Sequence, residues 1–371
     1  MIISMMPAVY AADKDVAIVE NERPTVEETI VENSTEDTTV EPAKAVEANL
    51  SEGETTYVAK IGETGYETLD AAIDAAADGA TITLVANVEA TSVSSDKAVT
   101  IKSDSTQREI KGIKTIAGNG VTLENVYLNL TSTLEIGGTN TTLKNVYVRA
   151  KDVAYADEAP FKNGNTYTNL TRLTGTNVVL DGCTFSGRDK DDNYFTNMCL
   201  MPASATNVTI RNCTFYEGWA AIYYGAISGK VEIDNCTFQN IYAYAVNVSE
   251  GKDTTVVIKN TTLPGWSSFG SAVESVSFDD CNFVKTVNGY DSGCTTVATY
   301  TDTTFADCTF TEDYASENTA ANENGVYVDP SVKTGAVVEM TGCKVVTASG
   351  ADSDKTVADV LNTEKMGEAT T

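Results

Sequence analysis

One motif, repeated nine times, constrains this chain more than anything else in its sequence. The copies read "VTLENVYL" from Val121, "TTLKNVYV" from Thr141, "VVLDGCTF" from Val178 and "VTIRNCTF" from Val208. They continue as "VEIDNCTF" from Val231, "VVIKNTTL" from Val256, "VSFDDCNF" from Val276, "TTFADCTF" from Thr303 and "VVEMTGCKV" from Val337. Successive copies start 20 to 37 residues apart. A unit of that size, with one short apolar stretch and one turn residue in each copy, cannot bury its own apolar face. It must stack on its neighbours as a solenoid.

The unit also specifies which solenoid. In its first half apolar residues alternate with polar ones, as in Val231 and Ile233, which is the period of a strand with one buried face. A residue that tolerates positive φ follows: Asn125, Asn145, Gly182, Asn212, Asn235, Asn260, Asp280, Asp307 or Gly342. A second alternating stretch then begins, as in Thr237 and Phe238. Strand, left-handed bend and strand, laid coil on coil, describe a parallel β-helix, so the expected fold class is all-β. A leucine-rich or helical repeat needs apolar residues at i, i+3 and i+4, which this unit lacks. With coils about 4.8 Å apart, nine of them make a rod of roughly 40 Å, with irregular insertions projecting from it.

Six of the eight cysteines stand at the position after the bend: Cys183, Cys213, Cys236, Cys281, Cys308 and Cys343. Equivalent positions of successive coils lie in register, so these side chains form a column. The expected arrangement is a stack of reduced, buried thiols that pack the bend. A disulfide between neighbours such as Cys213 and Cys236 is the alternative in an oxidising compartment. Cys199 and Cys294 fall outside the column, in insertions, where exposed or paired cysteines are expected. Asn side chains at the bend are expected to hydrogen-bond from coil to coil. The Asn-Cys-Thr sequons at Asn212 and Asn235 are read as by-products of the column.

The ends and the composition add limits. "MIISMMPAVYAA" looks like the end of a secretory signal peptide, with Val9 and Ala11 placed for cleavage after Ala11, so residues 1–11 are assigned to it. Residues 12–56 are acidic and carry no aromatic residue. They are expected to be a disordered spacer, since they bury too little apolar surface to offset chain entropy. Residues 57–100 are assigned to an N-terminal cap and first coil, 101–348 to the β-helix, and 349–371 to a C-terminal cap or tail. A net charge of −28 argues against nucleic acid and anionic membranes as partners. No stretch is apolar for long enough to span a membrane. The chain has no histidine, which excludes Ser-His-Asp and Cys-His chemistry and removes the commonest transition-metal ligand.

In the cap, Thr68 is placed to N-cap a short helix with Leu69, Ala72, Ile73 and Ala76 on its apolar face. "TITLV", Thr81 to Val85, enters the first coil. "KTVADVLNTEKMG" is the candidate helix closing the other end. With these caps and its "GYETLDAAI" opening, the chain resembles the right-handed parallel β-helix proteins of the pectin-lyase-like superfamily. More narrowly, it is similar to secreted surface proteins of anaerobic Gram-positive bacteria that open with Gly-Tyr-x-Thr-Leu-x-x-Ala-Ile. That resemblance spans about residues 57 to 345. It implies the fold but no single activity, because the superfamily hosts lyases, hydrolases, isomerases, tailspikes and adhesins.

Polygalacturonase-like hydrolases carry a Gly-His-Gly that is missing here, since the chain has no histidine. Pectate-lyase-like enzymes hold calcium on carboxylates beside a basic residue. The matching insertion is "GRDKDDNY", whose Asp189, Asp191 and Asp192 are the calcium candidates, beside Arg188 and Lys190. A solvated loop tip is the plainer reading of that run, and no other cofactor is expected. The aromatic residues carry more. Trp219, Tyr223, Tyr242, Tyr244 and Trp266 follow three consecutive motif copies, and Trp219 and Tyr242 stand at the same offset from their cysteines. Exposed, they would form a platform on which sugar rings pack. Turned inward, they would fill a wide core; alternation does not separate the two. The expectation is therefore a secreted or cell-surface monomer that binds polysaccharide or host glycan. The alternatives are a polysaccharide-degrading enzyme, lyase or hydrolase, and a structural surface protein without ligand.

Overall fold

The computed structural model describes residues 56–153, 162–163, 166–167, 169–188, 190–191, 196–223, 226–241, 243–248, 250–286, 295–315, 324–328 and 336–366. The signal-peptide and spacer assignments, Asp189, Asp192, Tyr242 and Cys294 lie outside these residues. The alternating stretches form strands, and each strand pairs in parallel with its equivalent one coil on. The first sheet has thirteen strands. Its outermost two, Ala59–Ile61 and Thr64–Tyr66, are an antiparallel hairpin that covers the N-terminal edge. The parallel run then extends from Ala80–Leu84 to Val338–Thr341. A third face of ten strands runs from Ser92–Ser95 to Gly325–Val328. The second face is split into a seven-stranded and a four-stranded sheet, the last and first strands at the split being Thr237–Gln239 and Thr262–Pro264. This is the expected all-β parallel β-helix with its N-terminal capping helix.

Every one of the nine bend residues is left-handed, with φ from 49° at Asn260 to 68° at Gly342. Asn, Asp and Gly are the residues that occupy this region at least cost, so the motif encodes the corner between first and second faces directly. The asparagine column forms in part: Asn235 Nδ2 donates to Asn212 Oδ1 at 2.8 Å. Asn212 and Asn260 instead donate to the carboxylates of Asp181 and Asp234, one residue before the bend, at 2.9 and 2.7 Å. A second column runs up the corner before the first sheet, where Asn140, Asn177 and Asn207 donate in turn to Asn119, Asn140 and Asn177.

Inside the coils, like stacks on like. Leu123, Leu143, Leu180, Ile210, Ile233 and Ile258 form one fully buried row of the first sheet. Phe185, Phe215 and Phe238 stack at 5.2 and 5.4 Å on the second face. Beyond the split, Phe283 and Phe310 stack at 4.6 Å. Each such ring contributes roughly 2 kcal/mol by leaving water. The thiol column is buried from Cys183 to Cys308, and all seven described cysteines are free thiols. Thr261 takes the place of cysteine in the copy between Cys236 and Cys281, at the step where the second face splits. Its hydroxyl donates to Lys259 O at 2.6 Å and accepts from Cys236 N at 3.2 Å.

Cys199 departs from expectation. It lies within the strand Thr196–Pro202, fully buried, and its Sγ points to Tyr216 O at 3.8 Å. Burial pushes its thiol up to about 12, so it behaves as an inert core residue.

The N-terminal end is closed as the sequence suggests, whereas the other end carries two short turns in place of one helix. Thr68 Oγ1 accepts from Ala71 N at 3.1 Å and starts the helix Leu69–Ala75, whose Leu69, Ala72 and Ile73 are buried. At the far end a 3-10 turn, Val357–Val360, and a single helical turn, Thr363–Met366, bury Val360 and Met366. Asn362 N bonds Val326 O at 2.8 Å, which covers the last strand of the third face.

The solvent side of the first sheet carries a pattern that apolar periodicity does not reveal. The residue before each bend belongs to one register row, and its charge alternates: Lys102, Glu124, Lys144, Asp181, Arg211, Asp234, Lys259, Asp279. Lys144 and Glu124 pair at 2.9 Å, as do Arg211 and Asp181. Like charges stacked at coil spacing would repel, and alternation turns every contact into attraction. Burial raises the Asp181 pKa, but hydrogen bonds from Asn212 and Arg211 outweigh it and leave the carboxyl below its ordinary value. A depressed carboxyl stabilises the fold above its unfolded pKa, and that support disappears as pH falls through the folded value. Arg211→Glu places a third negative charge between Asp181 and Asp234. It should lower stability by about 1–2 kcal/mol in urea titrations at low salt, and by less in high salt. A loss independent of salt would show that the row does not act through charge.

Candidate functional site

Most large apolar side chains belong to one continuous core, but four buried residues form a second cluster apart from it: Ala220, Tyr223, Ala243 and Tyr244. Met198, Trp219 and Trp266 pack against them. The strands Thr196–Pro202, Gly218–Ile222, Tyr244–Val248 and Trp266–Phe269 of the third face bring them together. Along one register row stand Met198, Ala220, Tyr244, Trp266 and Thr296. Left-handed residues just before the strands, Glu217 and Gly265, turn the chain into this face.

The four rings form one connected cluster centred on Tyr244. Tyr244 stacks on Trp266 with centroids 4.8 Å apart and planes 25° from parallel. Trp219 meets Tyr223 edge-on at 5.2 Å and Tyr244 at 5.3 Å, while Tyr223 and Tyr244 lie 4.8 Å apart. Tyr223 and Tyr244 are 6% and 8% exposed, whereas both tryptophans are half-buried. The rings therefore match neither simple expectation. They do not fill the rod's main core, and they do not lie open as a flat platform. The tyrosines are buried, and the two tryptophans packed against them are partly exposed. Trp266 Nε1 is buried without a hydrogen-bond partner.

Equal offset from their cysteines does not put Trp219 and Tyr242 in register. Ala243 N bonds Trp219 O at 2.8 Å and Ala220 is registered with Tyr244. The second coil is thus one residue longer between its cysteine and this face, and the ring stacked near Trp219 is that of Tyr244. Tyr242 itself lies outside the described residues.

Of the calcium candidates, Asp191 is described. It is exposed and paired with Lys190 at 2.7 Å. Asp189 and Asp192 lie outside the described residues. The neighbouring Arg188 reaches Glu217 at 2.8 Å and lies 4.3 Å over the Tyr216 ring. Among the described residues no group of three or more acidic or cysteine side chains is placed to hold a metal ion.

A polar network on the second face went unread in the sequence. Asn129 is fully buried, and its amide donates to Glu109 at 2.9 Å and Asp152 at 3.0 Å. Lys111 pairs with Asp152 at 2.8 Å, and Lys151 pairs with Glu109 while lying 5.2 Å over Tyr127. Tyr127 and Tyr147 stack at 5.1 Å, and their identical place in the first two motif copies was the available signal. Bonds from Lys111 and Asn129 hold Asp152 below its ordinary pKa against burial. Asp104, bonded by Arg108, and Asp359, bonded by Thr356, are displaced the same way. A glycosidase general acid needs the opposite displacement. These carboxylates are held as charged partners and suit structural bonds better than proton donation.

The family described as a right handed beta helix region matches residues 86–263 and 162–310, which together span more than half of the chain. No curated protein matches. Among solved structures, an endo-xylogalacturonan hydrolase from Aspergillus tubingensis is 14% identical over 80% of this chain and 90% of that one, with a TM-score of 0.34. Stacked parallel strands on three faces, left-handed asparagine corners and the match along the coils lead to one conclusion: this chain belongs to the right-handed β-helix family.

Proposed function

We propose that this protein is a secreted or cell-surface binding module that takes polysaccharide or surface glycan at Trp219 and Trp266, without cleaving it. One observation carries the reading: four aromatic rings gathered outside the main core, with both tryptophans of the chain partly exposed beside two buried tyrosines. Apolar faces of sugar rings pack on such side chains, and a rigid strand-borne cluster spends little entropy in doing so. Export rests on the Val9 and Ala11 cleavage pattern. Asp104, Asp152 and Asp181, held charged by lysine, arginine and amide partners, do not suit the role of a general acid.

The test is retention of a panel of plant and host polysaccharides on the full chain, with and without calcium, while new reducing ends and unsaturated products are followed. Retention without products is expected. Trp266→Ala should weaken it about tenfold or more, in line with loss of a stacking ring worth roughly 1–3 kcal/mol, while circular dichroism at the assay temperature still shows the folded chain. Appearance of products would replace this reading with the enzymatic one. Retention untouched by both Trp219→Ala and Trp266→Ala would move the site elsewhere.

A further inference from the structure

The thiol column is two runs, not one. Cys183, Cys213 and Cys236 are 1%, 1% and 4% exposed, with Thr261 beyond them in the column. Cys281 and Cys308 are equally buried, at 1% and 0%, but the run continues to Cys343, which is partly exposed on the final coil. Lys344 N bonds Cys308 O at 3.0 Å, and Thr309 is registered with Lys344, so Cys343 sits over Cys308. The Cys343 thiol points to Phe305 O at 3.5 Å and Thr341 O at 3.6 Å, and the Cys308 thiol to Ala306 O at 3.3 Å. Neighbouring strands lie about 4.8 Å apart, inside the roughly 4.4–6.8 Å Cα separation that a disulfide accepts. Every step of both runs meets that condition. Only the step at Cys343 can be reached from solvent among the described members of the column.

We propose that Cys308 and Cys343 are an oxidative modification site, which a low-molecular-weight disulfide converts to an intramolecular bridge that staples the final coil to the one beneath it. The Cys343 thiolate attacks one sulfur of the reagent, forming a mixed disulfide and releasing one reagent thiol. Cys308 then attacks the Cys343 sulfur, closing the bridge and releasing the second thiol. The two cysteines lose two electrons and two protons, and the reagent disulfide gains them. The neighbouring Cys308 thiol, then burial, holds the Cys343 thiol above its ordinary pKa, so the rate rises with pH.

The closing experiment treats the full chain carrying Cys294→Ser, which removes the one cysteine outside the described residues, with glutathione disulfide. Peptides are mapped without reduction as pH is raised. The first cross-link should join Cys308 to Cys343, and the melting temperature should rise by several degrees because the bridge constrains the unfolded chain. With Cys308→Ser added, glutathione should remain trapped on Cys343. With Cys343→Ser added, the folded chain should take up none. Prior alkylation of Cys343 in the otherwise unaltered chain should block bridging in the same way. A first bridge within the Cys183, Cys213 and Cys236 run would overturn the proposal. So would oxidation of the Cys343→Ser chain at an unchanged rate, or a folded chain that consumes no reagent at alkaline pH.

Discussion

Ile233→Asp should abolish cooperative folding of the rod. Ile233 is 0% exposed and sits in register between Ile210 and Ile258, in a row with no polar partner for a carboxylate. An unpaired charge there costs on the order of 5 kcal/mol or more, comparable to the whole stability of many domains. Because each coil of a solenoid is supported only by its neighbours, the damage should spread outward from the middle. Circular dichroism during thermal unfolding should show a broad or missing transition. Two controls separate charge from volume: Ile233→Val should cost about 1 kcal/mol, and Glu232→Gln, one residue away on the solvent side, should change little. An unaltered melting temperature for Ile233→Asp would mean that the inward register is wrong.

Gly118→Ala should be nearly as damaging for a different reason. Gly118 has φ of +110°, and a Cβ there would lie 2.0 Å from Ser95 O of the preceding coil. The next coil repeats the crowding, since a Cβ on Gly138 would stand 2.4 Å from Gly118 O. Backbone meets backbone at this corner, so no side-chain rotation relieves the clash. A loss of about 3 kcal/mol or more is expected in denaturant titration. Gly112 is the matched control. Its φ is +80°, but nothing lies within 4 Å of the added atom. Gly112→Ala should therefore cost only the left-handed strain, about 1 kcal/mol. Equal losses at the two positions would show that coil-to-coil crowding contributes nothing.

The fold was legible because its corner is written in residue types. Asn, Asp and Gly mark the left-handed bend nine times, and each mark corresponds to a positive φ. The thiol column was legible for a similar reason, since a fixed position in a repeat becomes a fixed position in a stack. The aromatic cluster was legible only as a group of residues. Its internal pairing was not, because one additional residue in the coil of Tyr244 shifts that ring past the place an offset count gives it. Periodicity sees the parity of a strand and misses a single inserted residue. The Asn129 network was missed because its carboxylate partners lie 20 and 23 residues away, beyond any local pattern. The alternating row escaped for a third reason: attention to apolar positions passes over the polar residues between them.

That row limits how the rod can change length. Its signs alternate from Lys102 to Asp279 without interruption. Excising one coil, such as the one carrying Arg211, brings Asp181 and Asp234 face to face. Duplicating that coil sets two arginines against each other. Adding or removing two adjacent coils leaves every neighbour opposite in sign. Within this stretch the rod has a parity: it lengthens and shortens easily by pairs of coils and with difficulty by one. A strand that skips a coil during folding meets the same penalty at once. Beyond Asp279 the row turns neutral at Ala306 and Thr341, and there single coils are free to come and go.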